Sequence, residues 1–458
     1  MTSRLPPSVR AGYAAGSLST GAFSTVPGLL LLPYLTDTVG IGAGLAGLLV
    51  LLPKAWDVVF NPIAGRISDA TRGSRGPRRP YLLWGGLSLA VLFAAMFAHP
   101  GFGTAGVVIW VVVMFVLAAT AYAFFQVPYV ALPAEMTDDP AERTKLMTRR
   151  IAVLAVAILA AGAGAPALRD AAGGVAGYRL VGIAVGALIL LGALWSYFGT
   201  RRAPIGEVRP SATSWGETFA AVRAAPRFAR LLIVFVVQAV GIGTMLAGVD
   251  YVARVVLGSS GASSILFAAF VGPALLVMPL WQMLATRFSK VACYAAASVT
   301  FAAGALGLLV TTLLSSGQSC IGPAVASANG AVLGTCQLHG PPIGIVAGWI
   351  VLIGMGYAGQ QVFPLSLLAD LSAEAEDTSG GKRAGLFAGV WTAGETFGLA
   401  LGPGIYGLVL ASGSYLSATA ADLQPMSAVV AIVLGFTAIP VVCVLAPLPL
   451  LRRIGSTH

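Results

Sequence analysis

Apolar stretches near or beyond the ~20 residues needed to cross a bilayer recur along this chain, separated by short polar breaks. Runs at 107–123, 151–167, 180–197 and 428–448 are examples. Inside lipid no water pairs the backbone N–H and C=O groups, so such runs must be helices. The pattern predicts spans at 11–35, 42–67, 81–99, 104–133, 150–168, 178–199, 229–252, 262–285, 291–314, 344–369, 384–411 and 426–450. Twelve spans put both ends of the chain on one side. The distribution of Lys and Arg in short loops sets the orientation. Arg72, Arg75, Arg78 and Arg79 follow the second span, Arg143, Lys145, Arg149 and Arg150 the fourth, and Arg201, Arg202 and Arg209 the sixth. Arg287 and Lys290, Lys382 and Arg383, then Arg452 and Arg453 continue the series, whereas the opposite loops hold only Arg169, Arg179 and Arg254. The even-numbered connections are therefore expected in the cytoplasm together with both termini, in a multi-pass protein of the inner membrane.

The longest cytoplasmic break divides the spans six and six, which predicts an N-terminal bundle over 1–200, a linker over 201–228 and a C-terminal bundle over 229–458. Within the linker, Ser214 to Arg223 (SWGETFAAVR) reads either as a short amphipathic helix on the membrane face, capped by Ser214, or as a plain tether. Composition agrees with a membrane protein: of 458 residues 57% are hydrophobic and 10% charged, with mean hydropathy +0.87. An ordinary soluble domain carries roughly 25% charged residues. The net charge of +10 does not indicate nucleic acid, because the basic residues lie between spans and not in an aromatic-interleaved patch. Cys320 and Cys336 bracket an external loop on the side where disulfides persist, and the two are expected to pair. No histidine lies between them, and no metal or other cofactor is expected.

The segment Lys54–Pro80 (KAWDVVFNPIAGRISDATRGSRGPRRP) joins two spans through glycines and arginines. Pro128-Tyr-Val-Ala-Leu132 with Glu135, near the end of the fourth span, is echoed by Pro364-Leu-Ser-Leu-Leu368 with Asp370 near the end of the tenth. An axis normal to the membrane relating two six-helix halves would produce such an echo. These residues, with Thr36-Asp37, Trp56-Asp57, Asn61-Pro62, Gly65, Val127-Pro128, Glu142-Arg143-Thr144, Arg150, Ala369-Asp370, Gly381, Arg383 and Gly389-Val-Trp391, resemble the glycoside-pentoside-hexuronide:cation symporters of the major facilitator superfamily. The lysolipid symporters resemble the same family more distantly. The resemblance implies an all-α fold of twelve transmembrane helices in two pseudo-symmetric six-helix bundles, and cation-coupled solute transport by alternating access.

The departures from the family are informative. The resemblance implies a sodium site of two aspartates one turn apart on helix 2 and a hydroxyl on helix 4. Here those positions read Asp57, Asn61 and Ala123. Sodium requires several hard oxygens, preferably with net negative charge. The expected coupling ion is therefore the proton, with Asp57 and Asn61 as the coupling pair. Lys54, three residues earlier, either neutralises Asp57 as an internal pair or leaves it to titrate. The family's sugar-binding carboxylates fall at Gly21 and Gln126, its tryptophan at Val130 and its lysine at Thr396, which argues against an α-galactoside. The cavity wall is expected to include Gln126, Tyr129, Arg150, Trp391, Glu395 and Thr396. Glu395 either faces the cavity or bonds a neighbouring helix, and Asp250 with Arg254 reads as a satisfied pair near the outer surface. Asp69, Arg72, Arg78, Arg79, Arg143, Asp370 and Arg383 form an expected cytoplasmic gate, or serve topology alone. The rival readings are a transporter of lipids or amphiphiles and an uncoupled facilitator or exporter. The expected partners are a small or amphiphilic solute and the bilayer, with the protein a monomer.

Overall fold

The computed structural model describes residues 5–71, 78–101, 103–137, 139–203, 215–259, 261–315, 317–319, 325–326, 332–333, 337–339, 341–379, 384–417 and 424–455. Two compact units divide the chain, one made of 1–34 and 52–212, the other of 35–51 and 213–458. Eleven described segments are long and apolar enough to cross a membrane, and a further 29-residue helix, Ala384–Ser412, lies between the tenth and the last of them.

The first unit holds α1 (Pro7–Pro33), most of α2 (Ala43–Ala70), α3 (Arg79–Phe97), α4 (Thr104–Ala131), the one-turn α5 (Pro133–Met136), α6 (Pro140–Ala172) and α7 (Gly174–Thr200). Both α1 and α3 start with proline in the first two positions, where a missing N–H costs nothing. Helix α1 packs on α6 and α7, and α3 on α4 and α7. Helix α6 begins ten residues before the expected span. Its extra turns are polar, with Glu142 receiving Lys145 at 2.9 Å and Arg10 of α1 at 2.7 Å. The Lys145 bond, with Arg10 beside it, holds the Glu142 carboxyl below the usual carboxylate range.

The second unit holds α8 (Trp215–Ala224), α9 (Pro226–Tyr251), α10 (Ala262–Leu284), α11 (Lys290–Ser315), α12 (Ile343–Ser379), α13 (Ala384–Ser412), α14 (Met426–Phe436), α15 (Ala438–Leu445) and α16 (Leu448–Gly455). The sequence predicts a helix where α8 is found, though the expected cap Ser214 lies outside the described residues. Helix α9 packs against α13 so closely that a Cβ on Gly402 would lie 2.2 Å from the Gly243 carbonyl carbon, giving the Gly398–Gly402 cluster a packing role. The expected last span is not one rod. Pro440 cannot donate to the carbonyl four residues back, and Pro447 repeats the fault, so the helix breaks at Thr437 and again near Ala446. Between α11 and α12 the expected external loop contains short antiparallel pairs, Gly317–Ser319 with Gln337–His339 and Val325–Ala326 with Val332–Leu333.

The start of each half turns the same corner. Helix α1 runs into a π turn, Tyr34–Thr38, followed by Gly40 at φ 82°, and α9 runs into a π turn, Val252–Val256, followed by Gly258 at φ 63°. The closing bonds match as well: Ile41 N–H donates to Leu35 O at 3.1 Å, and Ser259 N–H donates to Ala253 O at 3.0 Å. Glycine is required at both corners because other residues rarely adopt positive φ.

Candidate functional site

Helices α2 and α4 run side by side in a fixed register. Trp56 donates its indole N–H to Thr120 Oγ1 at 3.0 Å, the Phe60 and Phe124 rings meet edge to face at 5.5 Å, and a Cβ on Gly65 would touch Val127 at 3.5 Å. This register puts Asp57 and Asn61, one helical turn apart, at the depth of residues 121–126 of α4. Asp57 is buried, and its Oδ1 has no hydrogen-bond partner among the described residues. The same holds for Asn61 Oδ1 and for Gln126 Oε1. Lys54, three residues earlier on α2, is the charged group that acts electrostatically on Asp57. An ionisable group buried within a span is costly and marks a functional position.

The surroundings do not complete a sodium shell. Ala123 is fully buried and offers no oxygen. Thr120, one turn earlier, has its hydroxyl engaged, accepting from Trp56 and donating to Val116 O at 2.9 Å. Asp57 and Asn61 remain as the oxygen donors on α2, a set suited to holding a proton on one carboxyl with an amide beside it.

Several expected cavity residues are placed otherwise. Tyr129 is fully buried and turned into the helix packing: it donates to Tyr13 O at 2.7 Å, receives Ser17 Oγ at 2.9 Å, and lies against Gly16. Its hydroxyl is fully used, so it is a packing residue and not a wall of the cavity. Arg150 lies over the Tyr129 ring at 5.5 Å. In the second unit Trp391 is 2% exposed and stacks on Phe235 at 4.1 Å, which makes it part of the bundle core. One turn further along α13, Glu395 and Thr396 are half-buried, and Glu395 forms no hydrogen bond or ion pair among the described residues.

The gate residues divide between the units. Arg78 pairs with Glu135 at 3.0 Å and donates to Ala131 O at 2.8 Å, whereas Arg79 donates to Arg201 O at 3.0 Å and Ala203 O at 2.5 Å. Both arginines are buried and tie α3 to the ends of α4 and α7. Within the first unit they act as structural tethers. Arg143 donates to Thr137 O at 3.0 Å. Asp370 pairs with Lys290 at 2.6 Å, and Glu374 with Arg227 at 2.8 Å, inside the second unit. The Asp69 side chain, Arg72 and Arg383 lie outside the described residues.

Two polar clusters were not read from the sequence in their full form. Gln238 of α9 donates to Ser298 Oγ at 3.1 Å and Val444 O at 3.2 Å and accepts from Tyr294 at 2.7 Å, joining three helices. A glutamine inside an apolar span was the signal available. Asp250, one residue before the end of α9, forms the expected pair with Arg254; it is fully buried, and Arg254 also bonds the distant Asp37.

Cys320 and Cys336 lie outside the described residues, and the two described cysteines, Cys293 and Cys443, are free. The disulfide is expected to appear by mass spectrometry of unreduced protein as one linked peptide pair, stabilising the fold by about 3 kcal/mol in the chain-entropy description. Alkylation of both thiols in native protein would exclude it.

Long apolar helices in two units, opened by the same corner and carrying a buried carboxylate on α2, define a polytopic membrane protein. The chain belongs to the MFS/sugar transport protein family, whose model matches residues 12–455. It is 32% identical over 197 residues to the uncharacterized symporter YjmB of Bacillus subtilis (strain 168), covering 42% of each chain. It is 30% identical over 146 residues to the inner membrane symporter YicJ of Escherichia coli (strain K12), covering 32% of each. A third similar protein is the isoprimeverose transporter of Lactiplantibacillus pentosus, 28% identical over 146 residues, 32% of this chain and 30% of that one. The matched region thus spans less than half the length of these curated relatives. Among solved structures, the fold resembles a bacterial homologue of the iron transporter ferroportin, with TM-score 0.65 and 12% identity over 98% of each chain. It also resembles the nucleoside transporter NupG, with TM-score 0.64 and 13% identity over 96% of this chain and 99% of that one.

Proposed function

We propose that this protein is a cation-coupled secondary transporter that moves a small polar organic solute of the glycoside class by alternating access, with the proton as coupling ion. The observation that carries the reading is the buried Asp57 carboxylate, one turn from Asn61 and beside a fourth-helix face that supplies Ala123 and an occupied Thr120 hydroxyl. A site with one carboxyl and one amide is neutralised by one proton, while a sodium ion there would lack ligands. Relatives named as symporters, one of them for isoprimeverose, support the solute class. Glu395 and Thr396 on α13 and Gln126 on α4 are the groups offered to the solute's hydroxyls. The cytoplasmic termini, the monomeric state and the division at 201–228 belong to the same proposal. The test is uptake of labelled pentosides, hexosides and glucuronides into proteoliposomes. An inside-alkaline pH gradient should drive accumulation with no sodium present. Stimulation by a sodium gradient at fixed pH would overturn the choice of ion, and no uptake of any glycoside would overturn the solute class.

A further inference from the structure

The corner after α1 is attached to the second unit by a specific side-chain lock. Residues 35–51, the corner and the first turns of α2, group with α9–α16, whereas the rest of α2 groups with the first unit. Arg254 is the hub of this attachment. Its Nε donates to Asp250 Oδ2 at 2.7 Å, four residues back on its own helix path, and its Nη2 donates to Asp37 Oδ2. Asp250 also receives Ser263 Oγ at 2.8 Å, and Asp37 Oδ1 receives the Tyr415 hydroxyl at 2.8 Å. Thr36 Oγ1 and the Tyr251 hydroxyl share a bond of 2.8 Å, and Ser417 Oγ donates to Ile41 O at 2.7 Å. Along α2 the backbone itself lies against α13: a Cβ on Gly407 would lie 2.5 Å from Ala43 O.

We propose that residues 35–51 form a strap closing the outer face, that Arg254 is the residue that locks it, and that breaking the Arg254–Asp37 bond is the step that frees the strap in each transport cycle. This rests on the transport reading and orientation given above. The exposures indicate which bond breaks. Asp250 is wholly buried, while the Asp37 and Arg254 side chains keep 14% and 21% of their surface. When the strap leaves, water can take over at Asp37, and Arg254 retains Asp250 as its counter-ion. No charge is then left buried alone, which is the outcome that makes a broken buried pair expensive. A lysine would hold the two carboxylates less firmly, because its ammonium lacks the rigid planar fork of a guanidinium. The covalent path also requires a release. Helix α2 is one continuous helix of 28 residues divided between two units next to Pro53. If the units move relative to each other, either the strap detaches or the helix bends at Pro53, where the hydrogen-bond ladder already lacks a donor.

Two arms of one experiment separate these outcomes. In the first, Ala43→Cys, a buried position on the strap, is labelled from outside with a membrane-impermeant maleimide. Asp37→Asn, which leaves the Asp250–Arg254 pair intact, and Arg254→Gln should each raise the labelling rate on the order of 10-fold, the effect of losing one charge-assisted bond. Arg254→Lys should fall between these and the parent. Thermal melts identify any variant that merely fails to fold, and Asp37→Asn then decides alone. In the second arm, Gly44→Cys with Ala411→Cys, whose Cβ positions are 3.4 Å apart, is oxidised to a cross-link. Transport should stop and return on reduction, with the parent protein treated identically. Labelling unchanged by Asp37→Asn and Arg254→Gln, or full transport with the strap cross-linked, overturns the proposal. The labelling arm requires no solute, so it stands if the solute or coupling ion proves to be another.

Discussion

Asp57→Asn is expected to abolish accumulation driven by a pH gradient while solute exchange across the membrane continues. A gradient of one pH unit supplies about 1.4 kcal/mol per proton, enough for roughly 10-fold accumulation when one proton moves with each solute. An amide at 57 cannot bind and release that proton, so accumulation should fall to simple equilibration. Exchange needs only the alternation of the two states and should persist. The comparison is made in proteoliposomes, with net uptake and counterflow measured on the same preparation. Undiminished accumulation by Asp57→Asn would remove the carboxylate from coupling. Because Lys54 acts on Asp57 only through its charge and does not itself carry the coupled proton, Lys54→Ala should alter coupling less than Asp57→Asn.

Removing Arg78 or Glu135 costs the folded protein about 3–5 kcal/mol, the range for leaving one member of a buried ion pair without its partner. Their side chains are 9% and 6% exposed, so solvent screens little of this interaction. From the sequence, reversal of Arg78 and Arg79 is expected to bias the balance between two conformations. The structure adds a stability effect, because reversal would bury a carboxylate opposite Glu135 and free the Arg201 and Ala203 carbonyls. The visible result should be a lower melting midpoint and yield for Arg78→Ala, Glu135→Ala and the double reversal, with Arg78→Ala/Glu135→Ala costing less than the sum of the single changes. Unchanged melting of all of them, with an altered transport rate, would assign the arginines to gating and not to stability.

The membrane spans were readable because length and apolarity suffice to specify a helix in lipid. The breaks in the last span were written in Pro440 and Pro447, but apolarity alone masks them. Site residues were harder to place. An aromatic residue in a span looks the same in sequence whether it faces a cavity or a neighbouring helix, and what turns Tyr129 inward is Gly16, far away in the chain. Arg79 was opaque for another reason: its acceptors are backbone carbonyls, which every residue possesses. Arg254 was half legible. Its bond to Asp250, four residues away, follows from helix geometry, whereas the bond to Asp37 depends on how the chain returns in space.

The paired π turns bear on the ancestry of the molecule. A π turn holds one residue more than the α-turn it replaces, and one residue rotates everything beyond it by about 100°. A corner that gained such a residue independently in each half would have had to find a matching glycine, at Gly40 and at Gly258, twice. The shared layout of Tyr34–Thr38 and Val252–Val256 is what a repeat of one six-helix unit would carry in both halves. The charges at the two corners differ: Asp37 stands in the first π turn and Arg254 in the second, so the shared backbone carries opposite charges in the two halves.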